Sequence, residues 1–466
     1  MRIRLWAALP LLVGTATTLP AQTLTLREAL TRADGAAFPN RIAAGTAAAQ
    51  RGQATAALRG ILPTLRLEGG YVRTDDPIGA FGTTLRQRVI TAADFDPARL
   101  NRPAAIGNYQ GGAVIEQPLF NADAWTGRQA ATRAVAATEA SADWTRLGTR
   151  VDVVRAYYGV TLAHEKVATL AAAARAAHAH VRQAEAMVRQ GMVTKSDALL
   201  AAVGAGEVDA QLADAEAEAR TAIRQLAVVL GAQGVFAPVL PEHLPSATRI
   251  RAVVAPDTAS TALAADAGFR ADVEAAELGL DAARLDVRRA RSLYLPRLNG
   301  FARYDWNSAT RLYGGDAAWT VGVMASWSPF AGASEIAELQ ATSGREDAAR
   351  AMADAARERA LLEVEETGNA LRAALARLDI AERAVAQSAE AHRIVARKYE
   401  GGLATVTDLL DAAATDTRSA LALSAARYAV ITAGAERLRA LGRDPGALAR
   451  LDADASLATP SASPSR

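Results

Sequence analysis

The sequence predicts a mainly α-helical chain that also contributes four β-strands to a transmembrane β-barrel pooled between copies, the whole laid out as an internal duplication. Three observations predict it. Two stretches, 121–190 and 331–399, contain no proline, and a helix through either would reach about 100 Å at 1.5 Å per residue. Short segments such as "RLEGGYV" and "AWTVGVMASW" alternate apolar and polar residues with the period of a strand. Finally, "VRQGMVTKSDALLAA" (Val188–Ala202) is answered by "KYEGGLATVTDLLDAA" (Lys398–Ala413), with Gly, Thr, Asp and a resuming helix in the same order.

The chain opens with "MRIRLWAALPLLVGTATTLPAQ", in which Arg2 and Arg4 precede an apolar stretch from Leu5 to Val13. This reads as a secretory signal peptide, residues 1–21, too short to span a membrane. Ala21 marks the cut; Leu19 stands where a small residue is preferred, which leaves a cut after Ala16 as the alternative. No later segment reaches the roughly 18 apolar residues of a spanning helix.

The first repeat covers 22–233: a helix of about 24–60, strands about 64–74 and 109–117, a long helix 121–190, a Gly turn, and a helix of about 195–230. Residues 234–257, rich in Pro, form a connector. The second repeat, 258–442, repeats the order: a helix to about 292, strands about 297–306 and 318–327, a long helix 331–399, a Gly turn, and a helix of about 405–442. The tail 443–466, rich in Ala, Ser and Pro, is expected to be disordered. Gly191 and Gly402 are about 211 positions apart, and so are Pro118 and Pro329, so the duplication holds at two independent points. Pro63 and Pro296 correspond at a larger offset, the difference being absorbed by the loop that follows.

Each long helix carries a coiled-coil seam. Val153, Tyr157, Val160, Val167, Ala174, Val181 and Val188 follow one stripe, as do Leu371, Leu375, Leu378 and Val385. In the strands Leu65, Leu67 and Tyr71 oppose Arg66 and Glu68, while Trp319, Val321, Val323 and Trp327 oppose Thr320 and Ser326. Trp319 and Trp327 lie about 26 Å apart along a strand, close to the roughly 25 Å apolar band of an outer-membrane barrel. Four strands cannot close such a barrel, and an open edge cannot sit in lipid. Several copies must therefore pool their strands.

Composition excludes several functions. Of 466 residues half are hydrophobic, and the net charge is only +2, which argues against nucleic-acid binding. There is no Cys, hence no disulfide, thiolate metal site, Cys nucleophile or lipid-anchoring Cys. No Ser/His/Asp grouping, phosphate-cradling Gly loop or HExxH motif occurs, so the chain reads as no enzyme, with no cofactor and no metal site. His178 and His180 cannot share a helix face, and His164 and His392 stand isolated.

From "LTLREALTRADGAAFPNRIAAGTAAAQRGQATAALRGILPTLRLEGGY" through "VIEQPLFNADAW" to "YEGGLATVTDLLDAA", the mature chain resembles the outer-membrane efflux protein family typified by TolC. The resemblance implies a homotrimer whose twelve pooled strands form one barrel, continued into the periplasm by an antiparallel coiled-coil α-barrel tunnel. It implies an exit duct in the outer membrane of a Gram-negative-type cell, not lipid-anchored. The implied partners are a periplasmic adaptor protein, an inner-membrane RND or ABC-type transporter in a tripartite pump or type I secretion system, and outer-membrane lipid. The segment from Thr74 to Asn108 would then lie outside the cell, with "NSATRLYGGDA" as its short counterpart. Pro63, Pro118, Pro296 and Pro329 would mark the barrel–tunnel junction. Tyr71, Tyr109, Tyr304, Trp306, Trp319 and Trp327 would form the aromatic girdle.

The Gly turns, Gly191 and the pair Gly401–Gly402, would be the periplasmic tips. There Thr194 with Asp197, and Thr405 with Asp408, have capping-box spacing, and starting a helix is the plain reading of both aspartates. Asp411 has no such duty, and its first-hairpin counterpart is Leu200. Three copies would gather Asp408 and Asp411 into an acidic ring at a narrow mouth. The resemblance assigns Tyr399, Asp408 and Asp411 to the gate, with Asp197 beside them. The Arg that ties the closed gate in the best-known member falls at Ala404, so Lys195, Arg397, Lys398 or Tyr399 would have to serve instead. Two other readings remain: a periplasmic coiled-coil adaptor, expected as a soluble oligomer with lipoyl-like domains, and a soluble helical structural protein without outer-membrane fractionation.

Overall fold

Thr25 starts the first helix, α1 (Leu26–Ala36), with a complete capping box to Glu28. Ala37 then leaves helical geometry at φ −59° and ψ 136°. Pro39 falls in the first turn of α2 (Phe38–Ala56), where its missing N–H costs nothing. The single helix expected over 24–60 is therefore two. The computed structural model describes residues 24–232, 236, 238–254 and 270–452. The signal peptide expected at 1–21 and the start of the second repeat, 258–269, lie outside them.

After α2 follow β1 (Thr64–Thr74), α3 (Pro77–Arg86), α4 (Pro97–Asn101), β2 (Ile106–Phe120), α5 (Ala122–Arg189), α6 (Lys195–Val229) and α7 (Ala247–Val254). The chain continues through α8 (Ala271–Ser292), β3 (Arg297–Ser308), β4 (Asp316–Ser326), α9 (Ser334–Glu400) and α10 (Val406–Ala440). Among the described residues no helix is long and apolar enough to cross a membrane.

The duplication recurs in the helix ends. Helices α6 and α10 have 35 residues each. Each long helix ends in a left-handed glycine, Gly191 at φ 71° and Gly402 at φ 71°. Each following helix ends in another, Gly231 at φ 63° and Gly442 at φ 69°. At all four the glycine and the residue after it donate back to the helix's last turns, as Gly402 N does to Tyr399 O (3.0 Å) and Leu403 N to Lys398 O (2.8 Å). Only glycine enters this conformation without a Cβ penalty.

The compact units do not follow the sequence halves. One unit gathers the described residues of Met1–Arg41, Arg146–Leu263 and Glu363–Arg466; the other gathers those of Ile42–Thr145 and Ala264–Leu362. Each draws on both repeats, because a repeat cannot bury its apolar face alone.

The core of the first unit combines Leu26 and Leu30 of α1, Val153, Tyr157 and Val160 of α5, Ile250 and Val254 of α7, Leu371 and Leu378 of α9, and Val430, Ile431 and Leu438 of α10. Part of each expected seam thus lines this core, Val153, Tyr157 and Val160 on α5 and Leu371, Leu375 and Leu378 on α9. Within the connector 234–257, Leu240, Leu244 and Ala247 are buried in this core. One expectation is corrected here. The tail expected to be disordered from 443 is ordered through Asp452. A 3-10 helix, Pro445–Leu451, buries Leu448 and Leu451, and the Asp452 carboxylate accepts from Tyr158 Oη (2.8 Å) and Leu26 N (3.0 Å).

The second unit carries one antiparallel sheet, ordered β1-β2-β3-β4. Its register matches Leu67 to Ala113, Ala113 to Tyr304, and Tyr304 to Trp319. Strand β2 begins at Ile106, earlier than the expected 109, and runs past Pro118. Pro118 is therefore inside a strand, beside a register shift between Pro118 and Phe120. It is tolerated because pairing with β1 stops at Thr64 and Glu116, so no partner on that side needs its N–H. Pro63 and Pro296 immediately precede β1 and β3, and Pro329 follows β4.

Candidate functional sites at the hairpin tips and the sheet

The turns at Gly191 and Gly402 bring α5, α6, α9 and α10 together around a small apolar cluster: Ala184, Met187, Ala201, Tyr399, Val406 and Leu409. Thr194 and Thr405 cap the outgoing helices. The Asp408 carboxylate accepts from Thr405 N (2.9 Å) and Thr405 Oγ1 (2.7 Å), while Asp408 N donates to Thr405 Oγ1 (3.1 Å). Asp197 makes the same contacts with Thr194, at 2.9, 2.8 and 3.3 Å. The hydroxyl and backbone N–H of Thr405 hold Asp408 below its ordinary pKa.

Asp411 is exposed, and among the described residues no side chain pairs with it. Lys195, Arg397 and Lys398 are exposed as well and form no ion pair there. Tyr399 lies differently. It is only 2% exposed, its ring is within the tip cluster, and its hydroxyl is buried without a hydrogen-bond partner among the described residues. Burial, and then the charge of Asp197, raise its pKa. In the single chain Asp411 thus faces outward and Tyr399 inward.

A second arrangement near the tip was not legible from spacing. His392 is not isolated. Its Nδ1 lies 3.1 Å from Asp416 Oδ2, and its ring packs edge to face on His180 with centroids 6.3 Å apart. His178, two residues away, turns instead to Asp209 on α6 (3.0 Å). Among the described residues no group of three His, Asp or Glu is placed to hold a metal ion.

The sheet separates most of its side chains by face, with Val72, Val114 and Phe301 as apolar exceptions on the otherwise polar side. One face carries Leu65, Leu67, Tyr71, Tyr109, Ala113, Ile115, Ala302, Tyr304, Trp306, Trp319, Val321 and Val323; the other carries Arg66, Glu68, Asn108, Glu116, Arg303, Asp305, Asn307 and Thr320. Arg66 pairs with Glu68 (3.5 Å) and Arg303 with Asp305 (2.7 Å) on the polar face. On the apolar face much of the surface is open: Leu65 and Leu67 are each 66% exposed, Trp319 is 73% and Val321 66%. A water-soluble sheet buries its apolar face, and this one presents it.

The aromatic residues cluster toward the loop end. Tyr71 and Tyr109 are cross-strand partners with rings 4.7 Å apart, and Tyr304 packs edge to face on Trp306 at 4.8 Å. Trp327 stands beyond the other end of β4, its indole N–H donating to Tyr294 O (3.1 Å). Two further aromatics were missed. Tyr313, from the short β3–β4 loop, lies 5.7 Å from Trp306 and donates its hydroxyl to Glu68 O (3.2 Å). It fills the space left by Gly111, whose Cβ would come within 2.5 Å of its ring. Phe120 joins the apolar face at the other end because the register shift turns it opposite Leu298. The paired glycines in "EGGY" and "QGGA" were the one sequence signal for Tyr313, since a strand surface without side chains invites a covering ring.

The model of the outer membrane efflux protein family matches residues 41–232 and 268–443. Among solved structures, the outer membrane protein VceC of Vibrio cholerae is 20% identical, with a TM-score of 0.72 over 90% of this chain and 96% of that one. The CmeC outer membrane channel of Campylobacter jejuni is 16% identical, with a TM-score of 0.71 over 90% and 85%. The open-state MtrE outer membrane channel of Neisseria gonorrhoeae is 18% identical, with a TM-score of 0.69 over 90% and 89%. No curated protein sequence matches the chain.

Proposed function

The chain belongs to the outer membrane efflux protein family, and from that premise we propose that it works as a homotrimeric exit duct, taking substrates from an inner-membrane transporter and its periplasmic adaptor to the cell exterior. The observation that carries this reading is the sheet. It presents an open apolar face bordered by aromatic rings, a charged opposite face, and two edges, on β1 and β4, left unpaired within the chain. Unpaired edges cannot sit in hydrocarbon, so β4 of one copy pairs with β1 of the next until the barrel closes. Three copies pool twelve strands. Tyr71, Tyr109, Tyr304, Trp306, Trp319 and Trp327 then form the girdle, with Tyr313 and Phe120 added. Pro63, Pro118, Pro296 and Pro329 mark the passage between barrel and tunnel.

The hairpin tips at Gly191, Gly401 and Gly402 are the periplasmic constriction in this reading. Asp408 and Asp411, both exposed, supply an acidic ring that favours cations at a narrow mouth. Asp197 and Asp408 also start their helices, and Tyr399 stiffens the tip from within. The two repeat boundaries, 22–233 and 258–442, describe the duplication that supplies each copy with two hairpins.

Membrane fractionation followed by planar-bilayer recording of the purified protein tests the proposal. An outer-membrane trimer with long-lived pores is expected; a soluble, non-conducting product overturns it. Asp408→Ala with Asp411→Ala, and Tyr399→Phe beside them, test the gate. Unchanged conductance and cation selectivity in all of them would remove the tip from the mechanism.

A further inference from the structure

The two loops at the free end of the sheet leave it on opposite faces. Tyr313 of the β3–β4 loop covers the apolar face. The much longer segment 75–105, between β1 and β2, docks instead on the polar one. Asn108 and Asn307 lie on the face of Arg303 and Asp305 by strand alternation, and both are buried. Gln87, just after α3, is buried with them. Its Nε2 donates to Asn108 Oδ1 and to Gly107 O, both at 2.9 Å, and Asn108 Nδ2 donates to Asn307 Oδ1 at 2.8 Å. Amides at such depth are costly without partners, so this chain of three specifies where the segment lies.

Arg88 extends the strap one strand further. It holds a left-handed φ of 53°, which a residue with a side chain adopts only under constraint, and its Nη2 donates to Ala317 O of β4 (3.0 Å). Its ion pair with Asp316, 3.6 Å and well exposed, adds little. Gln87 and Arg88 together thus cross from β2 over β3 to β4. The segment they hold has its own order: α3 capped by Asp76 (Oδ2 accepting from Gly79 N, 2.7 Å), α4 capped by Asp96, and Phe81 packed edge to face on Phe95. Ordered loops of this length are uncommon unless they do something.

We propose that residues 75–105 form a size filter across the outer mouth of the pore, fixed to its inner wall by Gln87, Asn108 and Asn307, passing small solutes and excluding bulky polymers. The inference rests on the reading of the polar face as pore lining. Ile78, 85% exposed, and Val89 and Phe95, also exposed, leave apolar groups uncovered on this segment within the single chain.

The chain has no Cys, so one introduced thiol reports access cleanly. Thr320, exposed on the polar face of β4, is placed about 13 Å along the strand from its loop end. Cells carrying Thr320→Cys are treated from outside with a small sulfonated maleimide or with a polyethylene-glycol maleimide. In the parent loop background the small reagent labels readily and the polymer lags well behind it. Gln87→Ala, and separately a Gly-Ser replacement of residues 77–103, are expected to erase that lag, with outer-membrane trimer yield checked for each. Equal polymer labelling with the loop intact overturns the filter alone. Failure of the small reagent even in the shortened chain overturns the pore-lining face, and the filter with it.

Discussion

The rings of His180 and His392 meet edge to face, 6.3 Å between centroids, joining the two hairpins a few turns from their tips. Asp416 holds the far side of His392 and also accepts from Ser388 Oγ at 3.4 Å. Two imidazoles this close cannot both be charged without repulsion.

This contact makes the tips pH-sensitive. Burial, then the neighbouring His392, lower the pKa of His180, against the hydrogen bond of Gln183 and the charge of Glu400, which raise it. A His whose folded pKa lies below its unfolded value of about 6.5 adds stability that is fully present above that value and is lost as pH falls through the folded pKa. Protection against hydrogen exchange in the last turns of α5 and α9, taken relative to the intrinsic exchange rate at each pH, is therefore expected to fall between neutral and mildly acidic pH. His180→Gln should flatten that response, and an unchanged profile would discount the pair.

Tyr399 is expected to act through its ring more than its hydroxyl. Its Oη is buried without a partner among the described residues, so Tyr399→Phe should change tip stability little. Tyr399→Ala leaves a cavity and should cost about 3–5 kcal/mol locally. Limited proteolysis at the Gly402 turn distinguishes them; equal protection of both variants would show that the ring does not hold the tip together.

The four left-handed glycines that end the helices should not be equivalent. At Gly191 a Cβ would meet nothing within 4 Å, so Gly191→Ala should cost only the left-handed penalty of about 1–2 kcal/mol. At Gly231 it would lie 2.1 Å from Ala36 O, a backbone atom that cannot swing away. Gly231→Ala should lose far more in thermal melts. Comparable losses would mean that α1 shifts easily in the core.

Thr194→Ala and Thr405→Ala each remove one capping side chain and should each destabilise their helix by about 1 kcal/mol. The acid response differs in sign from that of a raised group. Asp408 is held below its ordinary pKa by Thr405, so its contribution is present above the unfolded carboxylate pKa and fades as pH falls through the folded one. Circular dichroism of Thr405→Ala under acid should show that fading reduced.

Positions on the two faces of β4 should answer oppositely to charge. Val323→Arg puts a cation on the apolar face midway between Trp319 and Trp327 and is expected to cost about 2–4 kcal/mol near the bilayer midplane, lowering trimer yield in the outer membrane. Thr320→Arg, on the face of Arg303, should assemble normally. Equal yields would contradict the facing of the sheet.

The sequence by itself determined the four strands, the long helices, the two hairpin turns and which way their side chains point. Strand alternation separated Leu65 from Arg66, heptad spacing marked Val153, Tyr157 and Leu371 as inward, and the Gly and Thr-x-x-Asp signals located both hairpin turns. These are local: the period of a strand or helix is written in neighbouring residues. What spacing could not supply was partnership across the chain. The contact of His180 with His392, the burial of Tyr399, Tyr313 over Gly111, Gln87 on Asn108, and the last residues before Asp452 packed on Tyr158 join positions far apart in sequence. A period says which way a side chain points but not what it meets, and only the tertiary structure decides that.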